Sequence, residues 1–197
     1  MKKLWFFWIG LLCAANLFAA IEVVPQAPDR TTDFAVTELR DALDKSVKRL
    51  TVDGREINRI VLNFSDRTLG NRFVISASGD TVTIRGGLYS SGLAGVFEFI
   101  EKVIGVRWFW IDCADYPAAR DITLSKLDID RKLPFIFREV SPQFYFGDVQ
   151  RYAARNQSND QVIPSKQGGI AYWGNARRAH TYEIHVPKAQ YFAEHPE

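Results

Sequence analysis

The glycine-rich stretch TVTIRGGLYSSGLAG, residues 81–95, is the first candidate for chemistry, because glycine-rich loops at the start of a helix often bind phosphate. A P-loop has lysine and serine or threonine directly after its last glycine, whereas Leu93 and Ala94 follow Gly92 here. A dinucleotide-binding loop has the pattern Gly-x-Gly-x-x-Gly after a parallel strand, and this spacing is absent. The glycines therefore favour a sharp strand-to-helix turn and close packing of the helix on a sheet over phosphate binding.

The titratable residues outside this stretch form no strong catalytic pattern. Asp112 and Asp115 flank Cys113. Two acids could transfer a proton, but a surface loop is the simpler interpretation. Cys113 has no basic neighbour, which argues against a nucleophile. His180 and His185 lack the H-E-x-x-H spacing of a zinc site. We predict no metal and no cofactor.

The elements that would position such residues alternate between helices and strands. Apolar residues at helical spacing predict a helix from Thr31 or Thr32 to about Leu50 and another over 88–104, which Gly105 ends. A short helix is expected over 148–159, and the chain from 161 onward is expected to be loop-like. Strands are predicted at 21–24, 59–64, 73–78, 81–85, 106–112, 121–129 and 135–140, with a hairpin turn at Gly79-Asp80.

This alternation predicts an α+β fold. Residues 21–130 are expected to form a small, mostly antiparallel sheet with helices packed on one face. Lys132-Leu133-Pro134 is typical of a linker. A second unit is expected over 131–197, starting with the strand at 135–140.

Residues 1–20 have the composition of a signal peptide. Lys2 and Lys3 precede the apolar run LWFFWIGLLCAANLF, which is short for a membrane span. We therefore expect a secreted or periplasmic protein with no membrane span in its mature part. A lipid anchor at Cys13 is the alternative, although Leu12 is a poor match for such a site.

The mature part would be nearly neutral. Removing two of the 25 basic residues leaves 23, against 23 acidic residues. Nucleic acid is not expected as a partner, because its binding needs a basic stripe. Cys113 is the one cysteine after residue 20, so no internal disulfide is predicted.

The segments FVIS and TVTIRGGLYSSGLAGVFEFIEKVIGVRWFW resemble the small α+β domain that precedes the catalytic barrel in bacterial alpha-glucuronidases and beta-hexosaminidases. FIFREV, RYAARNQSN and AHTYEIHVPKAQYFAEHPE resemble more narrowly a secreted family known as domain of unknown function 4838. The resemblance implies a glycoside hydrolase with a (β/α)₈-type barrel, acting on poly- or oligosaccharides. Such a barrel needs about 250 residues, and 67 follow position 130. We therefore expect only its beginning here, without the catalytic acids.

The resemblance also indicates residues that would contact sugar. Arg138 matches an arginine at the end of the first barrel strand that holds sugar hydroxyls, and Glu139 lies beside it. The alternative is that both are scaffold. Arg155, Asn156 and Asn159 would line the cleft, or would belong to a solvated helix end.

The other candidates follow Gly168-Gly169. His180 matches a histidine that often reaches the sugar, or is a loop histidine bound to backbone. Tyr172 and Trp173 would stack on a sugar ring, or anchor the loop. Two functions remain open: the N-terminal portion of an exported hydrolase, and a noncatalytic secreted module that binds glycans or protein.

Overall fold

A mixed sheet of five strands forms the centre of the structure. The structure is a computed structural model that describes residues 21–138, 148–159, 163–169 and 188–194. In spatial order the sheet contains β1 (Glu22–Pro25), β4 (Arg59–Asn63), β6 (Thr81–Gly86), β5 (Arg72–Ser78) and β10 (Asp128–Lys132). β1, β4 and β6 run parallel to one another, whereas β5 is antiparallel to both of its neighbours.

Two smaller sheets and several helices complete the described part. One small sheet has the order β3 (Arg55–Glu56), β2 (Val47–Val52), β9 (Arg120–Leu124), and the other pairs β7 (Arg107–Trp108) with β8 (Ala114–Asp115). The α-helices are α1 (Arg30–Ser46), α2 (Tyr89–Phe99), α3 (Val149–Arg155) and α4 (Lys188–Glu194). A π-helical turn over Ile100–Ile104 continues α2, and 3₁₀ turns occupy Arg67–Leu69 and Ser165–Gln167.

Helix α1 begins at a capping box. The Asp29 carboxylate accepts hydrogen bonds from the backbone N–H groups of Thr31 and Thr32, at 2.7 and 2.8 Å, and the Thr32 hydroxyl accepts one from Asp29 N–H. The helix ends at Ser46, about four residues before the predicted end. From Val47 the backbone is extended, because these residues pair with β9 on one side and β3 on the other.

The central sheet buries one face under the helices. Alternate residues of β6, Val82 and Ile84, are fully buried, whereas Thr81 and Thr83, which alternate with them, are partly exposed. Strand β4 shows the same alternation. Helix α2 packs on β5 and β6, and α1 packs beside it on β1. The α+β class with helices on one face is therefore confirmed.

The structure corrects several details of the prediction. The central sheet is mixed, with two parallel and two antiparallel pairs, since β6 lies between β4 and its hairpin partner β5. The strand predicted at 106–112 is reduced to Arg107–Trp108. The strand predicted at 121–129 is two strands, β9 and β10, in different sheets. Residues 135–138 of the predicted strand at 135–140 are not a strand, because hydrogen bonds from Arg138 and Asn159 fold them into bends.

The segment after residue 132 packs on the same core as the sheet. Leu133, Ala153, Ala154 and Ile163 are buried with the apolar side chains of α1 and α2. The region expected to be loop-like contains the 3₁₀ turn at Ser165–Gln167 and α4. The division at residue 130 and the start of a barrel stay predictions. The predicted signal peptide, residues 1–20, lies outside the described residues.

Candidate functional site

The glycine-rich stretch forms a crowded junction between β6 and α2. A Cβ on Gly86 would lie 2.3 Å from the Cα and N of Gly92, and one on Gly92 would lie 2.2 Å from the Phe64 ring. A Cβ on Gly87 would lie 2.2 Å from the backbone N of Gly70. These contacts are far closer than a side chain permits, so Gly86 and Gly87 allow two pieces of backbone to meet and Gly92 leaves room for the Phe64 ring. The prediction of close helix–sheet packing is confirmed.

A pocket of about 470 Å³ lies at this edge of the sheet, between the first turns of α1 and α2 and the 3₁₀ turn at Ser165–Gln167. Two of its polar side chains make hydrogen bonds within the protein. The Asp29 carboxylate caps α1, and the Thr31 hydroxyl donates to the carbonyl oxygen of Ser165 at 3.1 Å. This edge therefore attaches residues 163–169 to the start of α1.

Arg155, a predicted sugar contact, lies in an ion cluster with a buried carboxylate. Its Nε donates to Glu38 Oε2 at 2.7 Å, and Arg151 binds Glu38 Oε1 at 2.6 Å. Glu38 is 3% exposed. Burial of the Arg151 side chain acts to lower its pKa, but the charge and hydrogen bond of Glu38, together with the nearby Asp148 and Tyr116, outweigh burial, so the pKa of Arg151 is raised. Two arginines on α3 thus join that helix to α1 through one carboxylate.

Glu38 was not among the predicted site residues, although its position in the sequence indicates a buried charge. Glu38 lies on the stripe of α1 that carries Ala35, Leu39 and Ala42 inward. A carboxylate at a buried position requires a cationic partner, because an unpaired buried charge is strongly unfavourable. The partners, Arg151 and Arg155, lie 113 and 117 residues further along the chain and could not be inferred from spacing.

Arg138 is engaged with backbone. Its Nε donates to the carbonyl oxygen of Gln157 at 2.7 Å, and one terminal nitrogen donates to the carbonyl oxygen of Phe135 at 2.8 Å. Burial lowers the pKa of Arg138, and repulsion from Arg131 lowers it further. Asn159 completes the arrangement, since its amide bonds the backbone of Arg138 and Ile136. These contacts tie Arg138 to the backbone of Phe135 and Gln157, and its predicted sugar contact stays a prediction.

A second pocket, which we call the polar pocket, contains two of the predicted residues. It lies between the carboxyl-terminal end of α2 and the end of α3, and its volume is about 280 Å³. Arg155 and Asn156 contribute to it from the end of α3. The full lining consists of Glu98, Glu101, Lys102, Arg131, Arg155, Asn156 and Gln157.

The carboxylates of the polar pocket are both paired. Glu98 is buried and accepts from Arg131 at 2.7 Å and from the Gln157 amide at 3.1 Å. Glu101 pairs with Lys102 at 3.2 Å and with Arg107 at 3.4 Å. The pocket therefore offers fixed donors and acceptors of both charges, which suits binding of a polar molecule.

Several predictions fall on residues that are not described. Glu139, Tyr172, Trp173 and His180 all lie outside the described ranges, so their proposed roles stay predictions. Within the described part of the chain, no group of three or more His, Cys, Asp or Glu side chains is arranged to hold a metal ion. No helix among the described residues is both long enough and apolar enough to cross a membrane.

Comparisons with known proteins give little further support. No protein-family model matches the chain, and no curated protein matches it. The resemblance to the family known as domain of unknown function 4838 therefore stays a prediction. A solved structure of a GH138 enzyme targeting pectin rhamnogalacturonan II is 24% identical over 42% of this chain and 9% of its own, with a TM-score of 0.33.

Proposed function

We propose that this chain is the N-terminal portion of an exported carbohydrate-active protein, and that its α+β domain contacts carbohydrate through the polar pocket. The observation that carries the proposal is the lining of this pocket, where guanidinium, ammonium, carboxylate and amide groups converge on one small space. A sugar hydroxyl both donates and accepts hydrogen bonds, so a surface with both kinds of partner is complementary to it.

The pocket has unused hydrogen-bonding capacity. Within the described part of the chain, Asn156 Oδ1 and Gln157 Oε1 accept no hydrogen bond, and the terminal nitrogens of Arg155 make none. Drug-sized ligands occupy pockets of about 300–1,000 Å³. A volume of about 280 Å³ lies just below that range and is suited to a single sugar ring.

The hydrolytic step is proposed to lie elsewhere in the protein. Glycoside hydrolysis usually needs one carboxylic acid to donate a proton and one carboxylate to act as base or nucleophile. Glu38, Glu98 and Glu101 are each engaged by arginine or lysine. They therefore serve structure and binding, and the glycoside hydrolase activity implied by the sequence resemblance would use other residues.

The first test is binding of soluble sugars to the purified chain, measured by isothermal titration calorimetry and saturation-transfer NMR. Asn156→Ala should weaken binding severalfold, because an amide facing the pocket is lost. Asn63→Ala is the matched control, since Asn63 ends β4 and does not line the polar pocket. Equal affinity of the two variants would exclude the polar pocket.

The second test is turnover of a panel of aryl glycosides and uronides by the longest natural form of the protein. Turnover of any panel member supports the hydrolase proposal. If no substrate is turned over and no glycan binds, the carbohydrate-active proposal fails. Glycan binding without turnover supports the noncatalytic module instead.

A further inference from the structure

The hairpin formed by β7 and β8 presents two aromatic side chains to solvent. Phe109 is 62% exposed and Trp110 is 54% exposed. Backbone hydrogen bonds stabilise the turn that carries them. Phe109 N–H donates to the carbonyl oxygen of Cys113 at 2.9 Å, and Cys113 N–H donates to the carbonyl oxygen of Trp110 at 3.3 Å. The two rings are thus displayed on a hydrogen-bonded turn.

Tyr152 of α3 fixes the orientation of this hairpin. Its ring lies 5.9 Å from the Trp110 ring, centroid to centroid, at an interplanar angle of 54°. Its hydroxyl donates to the carbonyl oxygen of Phe109 at 3.3 Å. We call Trp110 and Tyr152 the aromatic platform. Because the two rings support each other, little side-chain freedom remains to be lost on binding.

The aromatic platform adjoins the polar pocket. Tyr152 of α3 precedes Asn156, the residue directly after that helix, by four residues, and the Asn156 amide donates to the Tyr152 carbonyl oxygen at 2.9 Å. Four residues correspond to about one helical turn, or roughly 5.4 Å along the axis. On the other side, Arg107 of the hairpin donates to the carbonyl oxygen of Glu101, which lines the pocket, at 2.8 Å. The aromatic platform and the polar pocket are therefore neighbours, joined through these two backbone contacts.

We propose that the aromatic platform is a second sugar subsite beside the polar pocket, so that the ligand is an oligosaccharide of at least two residues. This inference rests on the proposed function. One sugar ring would use its hydroxyls in the polar pocket, and the next would place its C–H face on Trp110. A sugar has an apolar C–H face and polar hydroxyls, which match an exposed aromatic ring and the fixed polar groups beside it. Exposure of so much aromatic surface to water is unfavourable, and a bound ligand would cover it.

The test compares each monosaccharide with its own oligomers: glucose, N-acetylglucosamine and galacturonic acid against their dimers, trimers and tetramers. Affinity is measured by calorimetry on the full chain. Trp110→Ala is expected to lower affinity for the preferred oligomer about tenfold and to leave its monosaccharide unchanged, since a tenfold change corresponds to about 1.4 kcal/mol, typical of one aromatic contact. Trp110→Phe should restore most of the affinity.

Leu88→Ala is the matched control. Leu88 is also exposed, but it precedes α2 and lies about 20 Å along that helix from Glu101, so no affinity should change. Thermal unfolding of each variant shows that it is folded.

Four results would overturn the inference. Unchanged oligomer affinity in Trp110→Ala removes the platform from the site but leaves the proposed function intact. Equal loss for monomer and oligomer would mean that there is no separate subsite. Weaker self-association of Trp110→Ala than of the unchanged chain in sedimentation, with sugar affinity unaltered, would make the platform a protein interface. Absence of binding to every sugar defeats the inference and the proposed function together.

Discussion

The close approach of α2 to β6 makes Gly86→Ala a decisive perturbation. The added Cβ would lie 2.3 Å from two backbone atoms of Gly92, whereas ordinary contact begins at 3.4 Å. Backbone atoms cannot rotate away as a flexible side chain does. Gly86 does not occupy the left-handed region of φ, so alanine introduces no backbone strain of its own. The substitution therefore tests the distance between helix and strand.

The expected magnitude follows from the displacement. The start of α2 would have to move about 1.1 Å from β6, the difference between these two distances. A gap of about 0.5–1 Å already removes a quarter to a half of the dispersion energy between facing atoms. Overpacking costs about 1–3 kcal/mol and occasionally more, and the lower entropy of the unfolded alanine chain returns about 0.4–1 kcal/mol. We expect a net loss of about 2 kcal/mol, or roughly 4–8 °C in Tm for a chain of this size.

The assay is urea unfolding followed by circular dichroism, with the midpoint compared at constant m value. Gly95→Ala in the same helix is the control, because its Cβ would approach Ile84 and Phe73 at 3.1 and 3.2 Å, which small shifts relieve. Alanine is favoured over glycine inside a helix by about 1 kcal/mol, so Gly95→Ala should lie within about 1 kcal/mol of the unchanged chain. Equal stabilities of Gly86→Ala and Gly95→Ala would refute the packing argument.

Three further predictions concern ion pairs and hydrogen bonds. Glu38→Gln should lower the free energy of unfolding by about 2–3 kcal/mol, because two arginines lose a buried partner. The control Glu22→Gln removes an exposed ion pair and should lower it by less than about 1 kcal/mol. Urea unfolding midpoints of the two variants measure the difference. Burial raises the pKa of Tyr116, whose hydroxyl also donates to Asp41. The protonated tyrosine therefore stabilises the fold below about pH 10, and this stabilisation should be lost as the pH rises through the pKa of Tyr116 in the folded protein. Thermal midpoints from about pH 8 to about pH 11 should show that Tyr116→Phe reduces this alkaline loss, and an unchanged slope would contradict the assignment. Arg138→Ala should accelerate chymotrypsin cleavage after exposed Phe135, and an unaltered rate would mean that the guanidinium does not hold that bend.

The local elements were largely predictable, because they depend on short-range periodicity. The alternation around Val82 and Ile84 predicted β6, and the helical spacing of Leu93, Val96 and Phe97 predicted α2. The hairpin between β5 and β6 is confirmed, with Gly79 at a φ of 64°.

The errors arise where distant partners override local pattern. The apolar spacing of α1 continues past Ser46, yet Val47–Val52 is a strand because β9, far along the chain at Arg120–Leu124, pairs with it. One local clue was overlooked. Asp53 and Gly54 both have positive φ, at 50° and 71°, and an Asp-Gly pair is characteristic of a tight hairpin turn.

For the candidate site, sequence reasoning named Arg155 and Asn156 but not their surroundings. Both line the polar pocket, whereas Arg138 is held by carbonyl oxygens. The partner of Arg155, Glu38, comes from α1, and Glu98, which also lines the polar pocket, comes from α2. In a single sequence, residue spacing does not predict which side chains meet when their elements are far apart along the chain.

The sequence by itself determined the α+β class, the hairpin and the close packing of α2 on the sheet at its glycines. These features depend on hydrophobic periodicity and on the small size of glycine, which act between residues close together in the sequence. Only the tertiary structure decided that β6 lies between a parallel and an antiparallel partner, that α3 is joined to α1 through Glu38, and that the polar pocket borders the aromatic platform. Those arrangements depend on burying charge and apolar surface between elements far apart along the chain, where the free energy of packing, and not the local pattern, selects the partner.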